Sequence, residues 1–296
     1  MTQVTELSDL LEAAAERASQ VLVHVAGACR GGATGSLYDA SGVIVTTARA
    51  VAGREQMEVV QGDQSAPASV VGYDAATDIG VLRMGGSLAL AKAPTWSTRP
   101  LRLGSLVLSA SRPGRAPRVR LGVVSQVGDA WHSLRGGRLE RYVEMDLSPE
   151  PGFSGGLGFD LAGNAVGMSS AGLMRGAALL VEKTTLERVV GAILTGGRVR
   201  RGYLGIGTQA ARLPEALAAA NGQAHALLVS SVQPDSAAER AQLGIGDLLL
   251  SLGGERLTSA GSLQAALEDA EGRPTTLELL RAGQRLSVEV TPGARS

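Results

Sequence analysis

Short apolar runs, each bounded by Gly, Asp, Ser or Pro, recur along the chain from about residue 20 to residue 182. No long helical pattern lies between them. Strands at this spacing are typical of antiparallel sandwiches and barrels. The runs fall into two blocks, residues 20–110 and 115–182, which predict two antiparallel β-barrels. The eight clearest runs are residues 21–25, 42–46, 79–82, 106–108, 121–124, 141–145, 165–168 and 177–181.

Different patterns flank the two blocks. Leu7, Leu10, Leu11, Ala14 and Ala18 share one helical face, so residues 1–19 are predicted to form a leading helix. A second helical pattern from Thr184 ends at Gly196. We therefore expect residues 20–195 to form the double-barrel domain and 196–201 a linker. Residues 202–296 mix strands with two short helices and form an α+β domain.

Composition excludes several functional classes. The 28 basic residues equal the 28 acidic ones, so no overall positive field would attract nucleic acid or an anionic membrane. The single Cys29 cannot form an intrachain disulfide. Acidic residues interrupt the first helical turns, and no apolar run approaches the ~20 residues of a membrane span. As written, the sequence predicts a cytoplasmic protein without a metal or cofactor.

Three segments occur in the order expected for a base, an acid and a nucleophilic serine. Together they resemble the His, Asp, Ser order of chymotrypsin-like proteases, and in detail the HtrA (high-temperature requirement) branch. That branch has two six-stranded barrels and a C-terminal PDZ domain. The segments are Gly-Val-Ile-Val-Thr-Thr-Ala-Arg-Ala-Val at 42–51, Asp-Ala-Ala-Thr-Asp-Ile-Gly-Val-Leu at 74–82, and Asp-Leu-Ser-Pro-Glu-Pro-Gly-Phe-Ser-Gly-Gly at 146–156.

The resemblance implies a role for each matching residue. Ser154 would be the nucleophile and Asp78 the acid that orients the base. The backbone N–H groups of Gly152 and Ser154 would form the oxyanion hole, where one preorganised donor can be worth ~3–4 kcal/mol. Phe153 departs from the usual Asn or Asp and could crowd this turn or flip the Gly152 peptide.

The base position carries Arg49, where the family has histidine. A serine hydroxyl is a poor nucleophile until a neighbour accepts its proton. Arginine has donors only and a pKa above 12, so it cannot accept that proton. We expect it to pair with Asp78 instead, and the protein to be catalytically impaired. Among the remaining histidines, His24, His132 and His225, none is an obvious substitute.

The third block resembles a PDZ domain of the same family. Its entry Arg-Gly-Tyr-Leu-Gly-Ile at 201–206 and the segment Leu-Gly-Ile-Gly-Asp-Leu-Leu at 243–249 carry the match. PDZ domains add an extended peptide to a sheet edge and hold its terminal carboxylate with loop N–H groups. The residues implied to bind peptide are Tyr203, Leu204, Gly205, Ile206, Leu263 and Leu267.

Two functional interpretations remain open from sequence. In the first, an impaired HtrA-like protein binds polypeptide C-termini or unfolded segments as a scaffold, a chaperone-like binder or a regulator of an active relative. In the second, a working serine endopeptidase uses a rearranged base. Relatives often form trimers through aromatic residues near the N-terminus, whereas no aromatic precedes Tyr38 here, so the oligomeric state stays open.

Overall fold

The computed structural model describes residues 2–27, 32–86, 88, 93–268 and 270–294. Cys29 lies outside this range. The chain forms two units, one of residues 1–133 and 138–199, the other of residues 134–137 and 200–296. Each unit has its own apolar clusters.

Six antiparallel strands of the first block close into a barrel in the order β1-β2-β3-β6-β5-β4. Alternate residues of β4 are buried, as expected for a strand with one face on a core. A one-turn helix, α2 (Ala48–Val51), follows β3 and packs against β5 and β6. The strands are β1 Leu22–Ala26, β2 Ala33–Leu37, β3 Val43–Thr46, β4 Gln56–Gln61, β5 Gln64–Asp74 and β6 Ile79–Met84.

The second block closes into another antiparallel barrel, in the order β11-β14-β13-β12-β7-β8. A small hairpin, β9 (Trp131–His132) with β10 (Arg138–Leu139), branches from it. The prediction of two six-stranded barrels is therefore confirmed. The barrel strands are β7 Leu106–Ser111, β8 Arg118–Gly128, β11 Tyr142–Met145, β12 Leu157–Phe159, β13 Ala165–Ser170 and β14 Ala178–Glu182.

Helices lie at both ends of the double barrel. The leading helix α1 spans Thr2–Val21, and α3 spans Lys183–Gly196. Ala14 and Ala18 of α1 are fully buried, but Leu7 and Leu10 are 37% and 47% exposed. The predicted apolar face is therefore buried along its C-terminal half alone, where α1 packs on β7 and β12.

The second unit is a PDZ domain with a six-stranded sheet and three short helices, in which β16 is an edge strand of the order β16-β17-β18-β20-β21. Ser236 caps α5 by accepting from the Glu239 N–H. The elements are β15 Gly202–Tyr203, β16 Ile206–Arg212, α4 Glu215–Asn221, β17 His225–Val232, α5 Ala237–Arg240, β18 Leu248–Leu252, β19 Glu255–Arg256, α6 Ala260–Leu267, β20 Thr275–Arg281, β21 Gln284–Val290 and β22 Gly293–Ala294.

Of the helices in the described residues, none has the length and apolar character needed to span a bilayer.

Candidate active site and peptide groove

A tight turn between β5 and β6 presents Asp78. The Asp74 carboxylate accepts from the Thr77 hydroxyl at 2.6 Å and from the Ala76 and Thr77 N–H groups. These bonds form an Asx-type turn that fixes the loop. Asp78 itself has φ +54° and is 9% exposed. Asp tolerates the left-handed region better than most residues, so the loop can turn its carboxylate inward.

A second turn, between β11 and β12, presents Ser154. The Phe153 N–H donates to the Glu150 carbonyl, with Pro151 and Gly152 at the two central positions. Gly152 has φ +87°, which fits the type II turn that Pro-Gly favours. A side chain at Gly152 would also meet Pro113, since an added Cβ would lie 2.4 Å from the Pro113 Cβ. Glycine is therefore required here by both conformation and space.

Hydroxyl groups of the first barrel hold the Ser154 turn in place. Thr34 is fully buried, and its hydroxyl donates to the Gly152 carbonyl at 2.6 Å. The same oxygen accepts from the Arg112 N–H at 2.9 Å. Ser36 Oγ donates to the Gly155 carbonyl at 3.0 Å. The turn is thus anchored across the interface between the two barrels.

The end of β13 connects the Ser154 and Asp78 sites. Ser170 Oγ donates to Asp78 Oδ2 at 2.7 Å, and the Ala171 N–H donates to Ser154 Oγ at 3.0 Å. Gly172 lies so close to Asp78 that an added Cβ would be 2.6 Å from Oδ2. Segment 170–172 therefore brings the predicted nucleophile and acid to one place.

Arg49 lies on α2, and residues just before it in the chain approach neighbours of these two groups. Just before it, the Thr46 hydroxyl lies 3.0 Å from the Cβ position of Gly155, and the Thr47 carbonyl 2.8 Å from that of Gly80. The Arg49 side chain is exposed. Within the described residues it forms no ion pair, so the expected pairing with Asp78 is wrong. The Asp78 carboxylate is instead buried and bonded by Ser170, while the guanidinium stays hydrated.

The N–H groups proposed for the oxyanion hole are available to a ligand. Neither Gly152 N–H nor Ser154 N–H donates a hydrogen bond to another residue in the described portion of the chain. The Gly152 carbonyl accepts from the Thr34 hydroxyl. The Phe153 side chain is buried and lines the neighbouring cavity. The arrangement leaves two donors on the turn that carries Ser154.

A shallow cavity of about 20 Å³, partly open to solvent, lies beside Ser154. Met145, Leu147 and Leu179 provide apolar walls, and β13 contributes Ser169 and Ser170. Phe153 lines the rim with 8% exposure.

The Arg120 guanidinium lies over the Phe153 ring. The Arg120 guanidinium carbon lies 5.6 Å from the ring centroid, within cation–π range. Arg120 also bonds the Ser148 carbonyl at 2.8 Å and pairs with Glu150 at 3.2 Å. The pair offsets the charge of Glu150 at the mouth of the cavity.

No histidine of the described ranges hydrogen-bonds Ser154. His24 lies on β1, half-buried, and its Nδ1 is buried without a hydrogen-bond partner among those residues. His132 and His225 are exposed, on β9 and at the start of β17.

The PDZ entry loop is the segment predicted to hold a peptide carboxylate. The Leu204 and Gly205 carbonyls accept from Ala238 and Gln233, whereas the N–H groups of Leu204 and Gly205 donate to no other described residue. The Tyr203 hydroxyl bonds Gln233 Oε1 at 2.9 Å. These free donors lead directly into edge strand β16.

The groove beside β16 has an apolar floor. Ile206 is half-buried at the start of the strand, and α6 packs against β16. Leu263 and Leu267 of α6 are each 6% exposed and belong to the PDZ core. Ala266 of this helix is partly buried and packs against the same core.

Several site residues carried no recognisable sequence signal. Thr34 and Ser36 lie on a strand, β2, that was not predicted. Arg120 lies more than thirty positions from the Ser154 turn that it contacts. No sequence pattern indicated that Ser170 bonds Asp78.

Comparisons with known proteins agree with this architecture. Residues 33–168 match the trypsin-like peptidase domain family and residues 228–281 match the PDZ domain family. A probable periplasmic serine endoprotease DegP-like of Pseudomonas fluorescens is 29% identical over 269 residues, covering 88% of this chain and 56% of the relative. The periplasmic pH-dependent serine endoprotease DegQ of Escherichia coli is 27% identical, with 87% and 58% covered.

Solved structures share the fold. The HtrA-type protease AlgW with decapeptide superposes with a TM-score of 0.73 at 22% identity, covering 97% of this chain and 99% of that one. The serine endoprotease from Yersinia pestis gives 0.73 at 24% identity, with 97% and 98% covered.

These comparisons also correct one prediction. The chain spans little more than half the length of the curated relatives it matches. Those relatives are named as periplasmic, which contradicts the predicted cytoplasmic location.

The fold and the comparisons agree. The chain has two closed antiparallel barrels and a following PDZ domain, and it matches both families in that order. The chain therefore combines a trypsin-like peptidase domain with a C-terminal PDZ domain, and it is similar to HtrA-type serine proteases along most of its length.

Proposed function

We propose that this chain is a catalytically impaired HtrA-type protein that binds polypeptides without hydrolysing them efficiently. Arg49 carries this proposal, because it stands where the family places the histidine base and cannot accept a proton from Ser154. A triad that lacks one member keeps a residual ~10³–10⁴-fold advantage over water. Slow residual turnover is therefore compatible with the proposal, whereas efficient turnover is not.

The PDZ unit would supply the main binding site. The Leu204 and Gly205 N–H groups, which donate to no residue that the structure describes, support recognition of a terminal carboxylate. Edge strand β16 can pair with an extended peptide. Tyr203 and Ile206 flank this loop, and Leu263 and Leu267 support the floor of the groove from the core. The ligands would be polypeptide C-termini or unfolded segments.

The names of the relatives suggest a setting for this activity. They are periplasmic endoproteases, so we place the protein in the periplasm. There it would act as a scaffold, a chaperone-like binder or a regulator of an active HtrA relative.

A second candidate function is serine endopeptidase activity with a rearranged base. It is favoured by the relatives' names and by the retained contacts of Ser154 with Ala171 and of Asp78 with Ser170. This candidate requires a proton acceptor other than Arg49 in the assembled cleft.

Turnover of fluorescently labelled casein separates the two candidates. We expect wild type to match Ser154→Ala within the background of the assay, and Arg49→His to be faster than both. Robust wild-type turnover that disappears in Ser154→Ala would overturn the proposal and support the endopeptidase. Arg83→His is a suitable control, since Arg83 is exposed on β6 and takes the same change in side chain.

A further inference from the structure

The PDZ unit contains a polar cavity of about 260 Å³ that is partly open to solvent. Its lining comes from the C-terminal end of α4, from strands β18, β19, β20 and β21, and from the turn between β18 and β19. None of the six residues predicted to bind peptide is part of this lining. Ligand pockets typically measure roughly 300–1,000 Å³, so a cavity of this size suits a ligand of about one sugar ring.

The cavity and the peptide groove use different faces of the PDZ sheet. Leu250 of β18 lines the cavity and belongs to a small apolar cluster that α4 covers. The preceding residue, Leu249, belongs to the larger cluster that contains Leu263 and Leu267 of α6. Side chains alternate between the two faces of a strand, so a ligand in the cavity would leave the groove beside α6 accessible.

The lining of the cavity carries more positive than negative charge. Its carboxylate, Glu278, accepts from Arg285 at 2.7 Å and from the Ser251 hydroxyl at 2.9 Å. The exposed Arg256 side chain has no ion pair and no hydrogen bond with the part of the chain that the structure describes. One of its nitrogens lies 3.7 Å from the Cβ position of Gly222, at the end of α4. A guanidinium with all its donors available therefore borders the cavity, which favours an anionic ligand.

Two side-chain amides of the lining have an oxygen available. Asn221 Nδ2 donates to the Leu217 carbonyl at 2.8 Å. Gln223 Nε2 donates to the carbonyls of His225 and Leu250 at 2.9 and 3.2 Å. The amide oxygens of Asn221 and Gln223 accept from no residue in the described ranges, so each can accept from a ligand. The arginines would repel an ammonium group, and the matching donor is therefore a hydroxyl.

We propose that this cavity binds a monosaccharide that carries a carboxylate or a phosphate. Arg256 would bind the anionic group, because a planar guanidinium matches either anion in a bidentate manner. Ring hydroxyls would donate to the oxygens of Asn221 and Gln223. This site goes beyond the peptide-binding function proposed above and does not depend on the role of Arg49.

Backbone amide NMR of the full chain can follow the cavity and the peptide-binding loop in one titration. The probes are D-glucuronate and D-glucose 6-phosphate. D-Glucose and acetate are the controls, since each carries one part of the recognised chemistry. We expect an anionic sugar to shift the Gly254 and Thr276 amide signals to saturation, and both controls to bind at least about tenfold more weakly. The tighter of the two anionic sugars shows whether the site prefers a carboxylate or a phosphate.

Variants then test the role of Arg256. Arg256→Gln should weaken binding of the anionic sugar by about tenfold or more, because a charge-assisted bond is lost. Arg83→Gln makes the same charge change at an exposed position of the barrel unit and should leave binding unaltered. An otherwise unchanged amide spectrum would verify that Arg256→Gln is folded.

The contrary results are specific. Binding of glucose or acetate as tight as that of the anionic sugars, or full binding by Arg256→Gln, would overturn the inference. No saturable shift at Gly254 and Thr276 with either anionic sugar would also overturn it. Shifts confined to Leu204 and Gly205 would place the anion in the peptide-binding loop, which would overturn this inference and leave the proposed function standing.

Discussion

Thr34 is a single buried side chain that joins both barrels at the Ser154 turn. Its hydroxyl donates to the Gly152 carbonyl and accepts from the Arg112 N–H, while its own carbonyl accepts from Thr46. The conformation of the Ser154 turn therefore depends on a residue of the first barrel, far away in sequence.

Replacing Thr34 by valine tests this dependence. Thr34→Val keeps the shape of the side chain but leaves the Gly152 carbonyl and the Arg112 N–H without their partner. We expect the free energy of unfolding to fall by about 2 kcal/mol. Urea denaturation measures the change, and Thr34→Ser, which keeps the hydroxyl, should lose less. Equal stability of Thr34→Val and wild type would show that these bonds are not important.

At the residue scale, the sequence motifs identified the site residues better than the contacts that those residues make. Ser154 and Asp78 were predicted site residues, and the structure connects them through segment 170–172. The Arg49–Asp78 ion pair was wrong, because the orientation of a long side chain depends on competing contacts. Ser170 donates a hydrogen bond to the buried Asp78 carboxylate. Burying the Arg49 guanidinium beside it would cost more desolvation free energy than the ion pair would return.

At the scale of elements, the sequence predicted the strands that are apolar runs but did not predict the more polar strands. Strand β2, Ala-Thr-Gly-Ser-Leu, is buried at every position, and β5 contains proline and several small residues. Neither has the alternation or the β-branched content that marks a strand in sequence. Their strand state comes from barrel closure, which supplies pairing partners on both sides.

In the PDZ unit, an ion pair connects the loop before β18 with the end of β20. Asp247 is 2% exposed, and Arg281 binds it through two nitrogens at 2.8 and 2.7 Å. The Gly244 N–H donates to the same carboxylate. The Arg281 bond is the main cause that holds the pKa of Asp247 below its ordinary value.

This pair predicts a pH dependence of PDZ stability. The Asp247 carboxyl has a lower pKa in the folded state than in the unfolded state, where its pKa is about 4. Its contribution to folding free energy is therefore complete above about pH 4 and is lost as the pH falls through the folded-state pKa. Urea denaturation of the PDZ unit should therefore show a steeper loss of stability below about pH 4 in wild type than in Asp247→Asn. Parallel pH profiles for the two proteins would contradict this assignment.

At the scale of the whole molecule, the two units have separate cores. The apolar clusters of the PDZ unit contain residues from Leu204 to Val290, and those of the barrels contain residues from Leu11 to Val199. Sequence could separate the two classes of domain because the spacing of turns changes after Thr184. It could not indicate the compartment.

Separate cores predict that the PDZ unit folds by itself. A fragment of residues 200–296 should unfold cooperatively in urea and give a dispersed amide NMR spectrum. A fragment of residues 1–199, measured in the same two ways, gives the comparison for the double-barrel unit. A collapsed spectrum for 200–296 with no cooperative transition would show that its stability depends on the rest of the chain.

Reaction of Ser154 with a fluorophosphonate probe tests the central claim most directly, because it measures the nucleophile without requiring a peptide substrate. With Ser154→Ala as the blank and Arg83→His as the control, we predict that Arg49→His is labelled at least roughly 10²-fold faster than wild type, the lower range for a positioned general base. Equal labelling rates for wild type and Arg49→His would contradict the assignment of Arg49 to the base position.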